Sequence, residues 1–369
     1  MTTEPGHTDI LDWLRETDGH RLEELWRMAD RVRREHVGDA VHLRGLIEIS
    51  NICVRQCAYC GLRAGNRRLN RYRMTQEEIL GCVRRAVEFG YGTVVLQSGE
   101  DYGITTEWMV DLIRRIKATS SLAVTLSLGE RPEEDLVAWR QAGADRYLLR
   151  FETSNRRLYD AIHPPLGTKR SDRLAALRHL RELGYEVGSG VMIGLPGQTY
   201  DDLAADIETF RRIDLDMIGL GPYIPHPDTP LGQRERPPTI PADQQVPNTE
   251  LMTYKVVALS RLVCPRANIP STTALATLNR AEGRELGLMR GANIVMPNLT
   301  PPEYRVRYEI YPGKACLTET ADDCHACLTR RIRAIGRQVG TGRGDSPNRA
   351  RRQPDVSPGI AAHPNATRA

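Results

Sequence analysis

Short apolar runs alternate with amphipathic stretches from residue 43 onward, and this alternation constrains the fold more than any other feature. Several amphipathic stretches begin with an N-cap type residue followed by carboxylates, as helices commonly do. Strands that alternate with helices over short connections form a parallel sheet covered by helices. Eight apolar runs predict an α/β fold, a (β/α)8 TIM-type barrel, with strands at residues 43–50, 93–97, 123–128, 146–150, 186–193, 217–221, 268–274 and 293–296.

Two regions flank this barrel, which we place at residues 41–335. Residues 9–36 show a helical period among charges, so residues 1–40 are predicted to form a helical flank outside the main fold. Residues 336–369 are rich in Gly, Pro, Arg and Asn and contain six arginines and two aspartates. We predict a disordered basic tail there and interpret the Arg-Gly-Asp at 343–345 as a chance match.

The charge balance narrows the class of partner. The whole chain has a net charge of +4, and the tail accounts for it, so the body is not expected to bind nucleic acid. No apolar run reaches the ~18 residues of a membrane span, and the first ten residues are too polar for a secretory signal. These features predict a cytoplasmic protein, in which eight cysteines are metal ligands or free thiols rather than disulfides.

The most specific motif is a loop with the spacing Cys53-x3-Cys57-x2-Cys60, directly after the first strand. Three closely spaced thiolates can hold three corners of a [4Fe–4S] cube. A structural zinc site normally closes its shell with a fourth Cys or His, but Cys82 falls inside a predicted helix and the next His is residue 163. The spacing therefore favours a cluster with one open iron over zinc or three unrelated thiols.

Polar side chains at the ends of strands three and four are candidate substrate contacts. Arg146, Arg150 and Glu152 are evenly spaced, so the strand period of two points them to one side. Inside a barrel they would serve anionic substrate groups and a ribose, or else form buried salt bridges. Thr125 and Ser127 would line a polar pocket or satisfy the local backbone.

A second cysteine set lies near the C-terminus, with the spacing Cys316-x7-Cys324-x2-Cys327. Three thiolates could hold an auxiliary [2Fe–2S] or [4Fe–4S] cluster. A zinc knuckle or unmetallated thiols are the alternatives.

The three-cysteine loop, the Ser98-Gly99-Glu100 turn and the Gly-Leu-Pro-Gly segment after strand five together resemble the radical S-adenosylmethionine (SAM) superfamily. The resemblance implies that the open iron binds the amino and carboxylate groups of SAM. An electron from the cluster would then cleave the sulfonium and release a 5′-deoxyadenosyl radical. It also implies catalytic and metal-binding roles for the three cysteines and cofactor contacts by Tyr59, Ser98, Gly99, Glu100, Glu152, Arg173, Met192 and Leu195.

Longer segments, among them LRGLIEISNIC, GADRYLLRFET, GPYIPHPDTPL and GANIVMPN, resemble the HydE family, the radical SAM maturases of [FeFe]-hydrogenase. The resemblance covers residues 40–335 and extends to the biotin synthase and methylornithine synthase group. It implies substrate contacts by Thr125, Arg150, Met296, Tyr308 and Tyr311. It also implies that the C-terminal cysteines are an auxiliary Fe–S position that is dispensable for SAM cleavage. The strand positions add Ser127, Arg146, Thr272 and Thr273 as candidate substrate contacts.

The HydE resemblance implies a cysteine-bound iron–carbonyl–cyanide complex as substrate. The implied partners are a tyrosine-cleaving radical SAM maturase, a scaffold GTPase and a low-potential electron donor. Two alternatives stay open: another radical SAM enzyme, of the methylornithine synthase or biotin synthase type, and a non-catalytic Fe–S carrier.

Overall fold

The computed structural model describes residues 5–233 and 239–352 and contains a parallel sheet wrapped by helices. The strands of this sheet are β1 (Ala40–Ser50), β2 (Thr93–Ser98), β3 (Ala123–Ser127), β4 (Arg146–Leu148), β5 (Glu186–Ile193), β6 (Met217–Pro222), β7 (Ile294–Val295) and β8 (Gln338–Val339). Strands β1 to β6 pair in chain order, and β7 pairs with the free edge of β1.

The ring between β6 and β7 closes through a short extended segment. Met217 forms a parallel bridge with Asn268, and Pro270 forms one with Ile294. The predicted strand at 268–274 is reduced to these two bridges, because a helix begins at Thr273. The predicted α/β fold of TIM type is therefore confirmed.

The helices are α1 (His7–Arg15), α2 (Gly19–Val37), α3 (Gln76–Glu88), α4 (Thr106–Thr119), α5 (Glu133–Ala142), α6 (Arg156–Ile162), α7 (Arg173–Glu182), α8 (Tyr200–Arg212), α9 (Glu250–Val263), α10 (Thr273–Leu278), α11 (Gly283–Met289), α12 (Pro302–Arg305), α13 (Ala321–Ala334) and α14 (Pro347–Arg352), with a short 3-10 helix at Ala242–Gln244. Threonine hydroxyls cap the predicted helix starts, accepting a hydrogen bond from the backbone three residues on, at Thr75, Thr105 and Thr199. None of the described helices is both long and apolar enough to span a bilayer.

The predicted N-terminal helical flank consists of two helices. Helix α1 ends at Arg15, and Asp18 caps α2 by accepting a hydrogen bond from the backbone N–H of Arg21. Both helices bury an apolar stripe against the outside of the barrel, where α1 packs on α8 and α2 packs on α9. The barrel boundaries of 41 and 335 stay a prediction.

The prediction of a disordered tail is wrong for residues 336–352, which contain a strand and a helix. Residues 353–369 lie outside the described residues. Strand β8 pairs with the start of β1, and the following segment crosses the amino-terminal end of the barrel. There, Arg343 Nη2 donates to Asp145 Oδ1 at 2.7 Å, and Asp345 pairs with Arg146. Polar composition was misleading because this segment satisfies its charges on buried partners of the barrel rather than on an apolar core.

Candidate active site

A cavity of about 350 Å³ opens at the carboxyl ends of the strands, the end at which barrels of this type place their active sites. It brings together twelve of the residues predicted from the sequence: Tyr59, Cys60, Ser98, Ser127, Arg150, Glu152, Met192, Thr272, Thr273, Met296, Tyr308 and Tyr311. These residues come from seven different strand positions, at the strand ends or in the segments that follow them, so only the folded barrel assembles them.

The three-cysteine loop follows β1 and lies at one side of this cavity. Cys57 is buried, Cys53 and Cys60 are partly exposed, and Cys60 lines the cavity. Burial raises the pKa of all three thiols, that of Cys57 to about 12, and negative charge on neighbouring sulfurs raises the pKa of Cys57 and Cys60 further. Bare thiols in this environment stay protonated, and a bound cation would stabilise them as thiolates.

The donor set fits an iron–sulfur cluster better than a single ion. Within residues 5–233 and 239–352, no three His, Cys, Asp or Glu side chains converge closely enough to hold one metal ion. In a cluster each cysteine binds a different iron, so its ligands are spread more widely. Cys82 is buried within the core-facing side of α3 and supplies no fourth ligand. The residues present thus fit a [4Fe–4S] cluster held by Cys53, Cys57 and Cys60.

Arg71 holds the cysteine loop in shape. Its guanidinium donates to four backbone carbonyls of the loop and its base, those of Asn51 at 2.6 Å, Leu62 at 2.8 Å, Arg63 at 2.8 Å and Asn66 at 3.2 Å. The planar fork of an arginine reaches several acceptors at once, which a lysine cannot do. Arg71 therefore fixes the path of the chain on both sides of the ligands.

We expect Arg71→Gln to lower the iron bound after anaerobic reconstitution to less than about half of the wild-type value, because four charge-assisted hydrogen bonds of about 1.5–3 kcal/mol each are weakened or lost. Arg67→Gln is the matched control, since Arg67 is an exposed residue of the same loop. Iron and sulfide per chain are the measurement. Equal iron in the two variants would contradict the role given to Arg71.

The Ser98-Gly99-Glu100 turn packs directly against the cysteine loop. A Cβ on Gly99 would lie 2.2 Å from the carbonyl oxygen of Ile52 and 2.7 Å from Cβ of Cys53, so only glycine fits. Ser98 lines the cavity. Glu100 does not; its backbone N–H donates to Cys53 Sγ at 3.3 Å and its carboxylate accepts from Arg55 Nε at 2.7 Å. Contact of this turn with SAM stays a prediction, and only Ser98 stands at the cavity wall.

Several buried polar atoms at the cavity have no protein partner. Arg150 and Glu152 form an ion pair at 3.0 Å between Nη2 and Oε2, yet Arg150 Nε makes no hydrogen bond with any described residue. The hydroxyls of Tyr223 and Thr272 are also buried and unpartnered among the described residues. A buried polar group without a hydrogen bond costs about 1–3 kcal/mol. These atoms therefore indicate a polar, partly anionic ligand.

The prediction that Arg146 contacts the substrate is wrong, because its side chain does not line the cavity. It lies at the opposite, amino-terminal end of the barrel, where Nε donates to Glu186 Oε2 at 2.7 Å and Nη1 donates to Thr93 Oγ1 at 2.9 Å. The period of two placed its side chain correctly on the inner face but could not show its height along the barrel. Thr125 pairs with Arg146 across β3 and β4 and does not line the cavity either. Its buried hydroxyl has no hydrogen-bond partner within residues 5–233 and 239–352.

Arg173 is buried beside the cysteine loop rather than in the cavity wall. It donates to Glu130 Oε1 at 3.1 Å, to the carbonyl of Arg150 at 2.7 Å and to His163 Nε2 at 2.7 Å. Burial and this neighbouring cation lower the pKa of His163 to about 3, so the imidazole is neutral and accepts. The positive charge of Arg173 offsets part of the increase that burial causes in the pKa of Cys57. Its predicted contact with SAM stays a prediction.

The far side of the cavity is apolar. A small buried cluster that contains Leu195 and Tyr223 is separate from the main core, and Met192 and Tyr59 pack against it. Met192 lines the cavity, whereas Leu195 is fully buried behind it. A flat, apolar ring such as a purine could lie here.

Sequence reasoning missed three polar groups of the cavity. Glu48 and Lys314 form a buried ion pair at 2.7 Å, and Gln97 Nε2 donates to Tyr308 Oη at 3.1 Å. Lys314 Nζ also donates to the carbonyl of Tyr308 at 3.1 Å, which fixes the segment that carries Tyr308 and Tyr311 over the cavity. The signal for Glu48 was a carboxylate within the apolar run at the end of the first strand; nothing marked Lys314.

Two of the three C-terminal cysteines, Cys316 and Cys324, lie together away from the cavity. Cys324 and Cys327 lie one turn apart on α13, and the Cys324 thiol hydrogen bonds to Cys316. That bond, together with Arg284, whose Nη2 lies 3.9 Å from Cys316 Sγ, lowers the pKa of Cys316 to about 6. Two of the three predicted ligands are thus adjacent, and Cys327 is on the same helix.

Comparison with known proteins identifies the family. Residues 47–210 match the sequence profile of the radical SAM superfamily. The chain is 48% identical over 318 residues to the [FeFe] hydrogenase maturase subunit HydE of Thermotoga maritima, across 86% of this chain and 87% of that one. It is 28% identical over 276 residues to 3-methylornithine synthase of Methanosarcina acetivorans, across 74% of each chain. The crystal structure of a methylornithine synthase has the same fold, with a TM-score of 0.75 at 24% identity over 92% of this chain and 95% of that chain. The chain therefore belongs to the HydE family of radical SAM enzymes.

Proposed function

We propose that this enzyme cleaves SAM reductively and acts in [FeFe]-hydrogenase maturation on a cysteine-bound iron–carbonyl–cyanide precursor. The observation that carries the proposal is the convergence of Cys60, Arg150 and Glu152 on one cavity, in a chain 48% identical to HydE of Thermotoga maritima. When bound, the cluster supplies the low-potential electron that converts SAM to a 5′-deoxyadenosyl radical.

The residues of the chain divide the cavity between SAM and the precursor. The apolar side with Met192 takes the adenine, and Glu152 accepts hydrogen bonds from the ribose hydroxyls. Arg150 and the unpartnered hydroxyl of Thr272 bind the carboxylate of the cysteine-derived substrate, because a guanidinium fork matches a carboxylate. Tyr308 and Tyr311 cover this end of the cavity and exclude water from the radical.

The remaining parts of the proposal concern partners and the second cysteine set. We place the enzyme in the cytoplasm with a low-potential electron donor, a tyrosine-cleaving radical SAM maturase that supplies its substrate and a scaffold GTPase that receives its product. Cys316, Cys324 and Cys327 would hold an auxiliary [2Fe–2S] or [4Fe–4S] cluster near the surface that SAM cleavage does not need.

An anaerobic maturation assay tests this function. Apo-[FeFe]-hydrogenase is incubated with the two partner maturases, SAM and dithionite, with and without this protein, and hydrogen evolution is measured. We expect activation to depend on this protein and to survive replacement of its three C-terminal cysteines by serine. SAM cleavage without any activation of hydrogenase would contradict the proposed substrate, and formation of 3-methylornithine would assign the enzyme to the other branch of the group.

A further inference from the structure

A buried carboxylate behind the cavity, that of Asp206 on α8, has no part in the site described above. Its side chain is fully buried, and burial raises the pKa of the carboxyl to about 7. After burial, the strongest influences on this carboxyl are hydrogen bonds from Ser154 and the negative charge of Asp202. A carboxylate buried without a cation is costly unless its hydrogen bonds compensate.

One oxygen of Asp206 holds the turn that follows β4. Oδ1 accepts from the backbone N–H of Ser154 at 2.5 Å and from Ser154 Oγ at 2.6 Å, and Thr153 Oγ1 lies 3.4 Å away. This turn begins with Glu152, whose φ of +64° is in the left-handed region that a glutamate adopts only when its surroundings enforce it. Asp206 therefore supports the backbone that presents the Glu152 carboxylate to the cavity.

The other oxygen of Asp206 acts on the turn that follows β5, through Gln198. Oδ2 accepts from Gln198 Nε2 at 3.4 Å, and the same amide nitrogen donates to the carbonyl of Met192 at 3.1 Å. With its nitrogen oriented in this way, Gln198 Oε1 accepts from the backbone N–H of Gly194 at 2.7 Å and of Leu195 at 3.3 Å. The amide thus closes the turn that carries the apolar, adenine-facing residues.

We propose that Asp206 is a positioning residue that fixes these two turns relative to each other and thereby sets the affinity of the enzyme for the nucleoside half of SAM. The inference rests on the proposed function, since it takes Glu152 and Met192 as the ribose and adenine contacts. Asp206 does not touch the cavity, so its effect passes through the two turns.

Asparagine cannot replace this carboxylate, although it has nearly the same shape. Every partner of Asp206 is a donor, and an amide offers one acceptor and one donor group. If the Asn oxygen faced Ser154, its NH2 would meet the NH2 of Gln198; the reverse orientation would place NH2 against the N–H of Ser154. Either arrangement releases one of the two turns.

The test compares Asp206→Asn with Asp216→Asn in the reconstituted, full-length enzyme. Asp216 is a matched control because it is also buried with a pKa raised to about 7, yet it lies at the opposite end of the barrel, where Oδ2 accepts from the N–H of Val187 at 2.8 Å.

Equilibrium dialysis measures binding of 5′-deoxyadenosine, which lacks the methionine part, and of SAM. We expect Asp206→Asn to weaken both about tenfold, with iron content unchanged and KM for SAM raised more than kcat is lowered. A tenfold loss of affinity corresponds to about 1.4 kcal/mol of lost interaction. Asp216→Asn should bind both ligands within about twofold of the wild type, because Asp216 lies at the opposite end of the barrel.

The outcomes separate this inference from the proposed function. If the wild type binds and cleaves SAM and Asp206→Asn binds 5′-deoxyadenosine as tightly as the wild type, Asp206 has no positioning role. If the wild type itself neither binds nor cleaves SAM, the proposed function fails. If Asp206→Asn does not fold, Ser154→Ala and Gln198→Met test one turn each, and unchanged affinity for 5′-deoxyadenosine in both overturns the inference.

Discussion

Replacing Cys57 by alanine is expected to reduce formation of 5′-deoxyadenosine from SAM to below about 1% of the wild-type rate, a loss of about 3 kcal/mol or more of transition-state stabilisation. Cys57 is buried, whereas Cys53 and Cys60 are partly exposed, and its replacement removes one of the three thiolates that would hold the cluster. Liquid chromatography of anaerobic reactions with dithionite measures the product.

Cys82→Ala is the matched control for this experiment. Cys82 is equally buried but lies on α3, where it packs in the main core. Its replacement should cost stability of about 1 kcal/mol and leave the cleavage rate within about twofold of wild type. Comparable loss of 5′-deoxyadenosine in both variants, or retention of it in Cys57→Ala, would contradict the assignment of the loop as the cluster site.

Replacing Arg146 is expected to reduce mainly stability, and replacing Arg150 mainly activity. Arg146→Gln should lower the free energy of unfolding by about 3 kcal/mol, because it leaves the buried carboxylate of Glu186 without its closest cation, which lies 2.7 Å away. Arg150→Gln should change it by less than about 1 kcal/mol, since that side chain is about one-third exposed. Urea unfolding followed by circular dichroism gives both values.

Activity should show the reverse pattern. In the hydrogenase maturation assay, Arg150→Gln should lower the rate about 100-fold, the effect of losing a bidentate charged contact of about 2–3 kcal/mol. Folded Arg146→Gln should keep a rate within about threefold of wild type. A folded, stable Arg146→Gln variant with no activity would indicate that Arg146 contacts the substrate. That result would contradict its assignment to the amino-terminal end of the barrel.

The contrast between these arginines shows what sequence periodicity can and cannot predict. A period of two assigns a side chain to the inner face of a strand, and both Arg146 and Arg150 do lie inside the barrel. It carries no information on depth, which depends on where the strand starts; β4 begins at Arg146 itself. The loop cysteines were predictable because their chemistry depends on local spacing directly after a strand end.

Groups that act through distant partners could not be predicted. Lys314 reaches Glu48 across 266 positions, and Asp206 connects the turns after β4 and β5 from a helix outside the sheet. The prediction of disorder failed at residues 336–352 for a related reason. This segment is held by ion pairs of Arg343 and Asp345 with charged residues at the end of the barrel, which no local pattern reveals. Composition measures how much apolar surface a segment can bury, and this segment is held by polar contacts instead.

Electron paramagnetic resonance of the reduced enzyme, recorded with and without SAM, tests the central claim that three cysteines leave one iron open to SAM. The account predicts a [4Fe–4S] signal whose g values shift when SAM is added to the wild type. Cys57→Ala should show no such signal. A signal that stays the same at SAM concentrations shown by dialysis to saturate the protein would mean that the iron is closed, and would contradict the account.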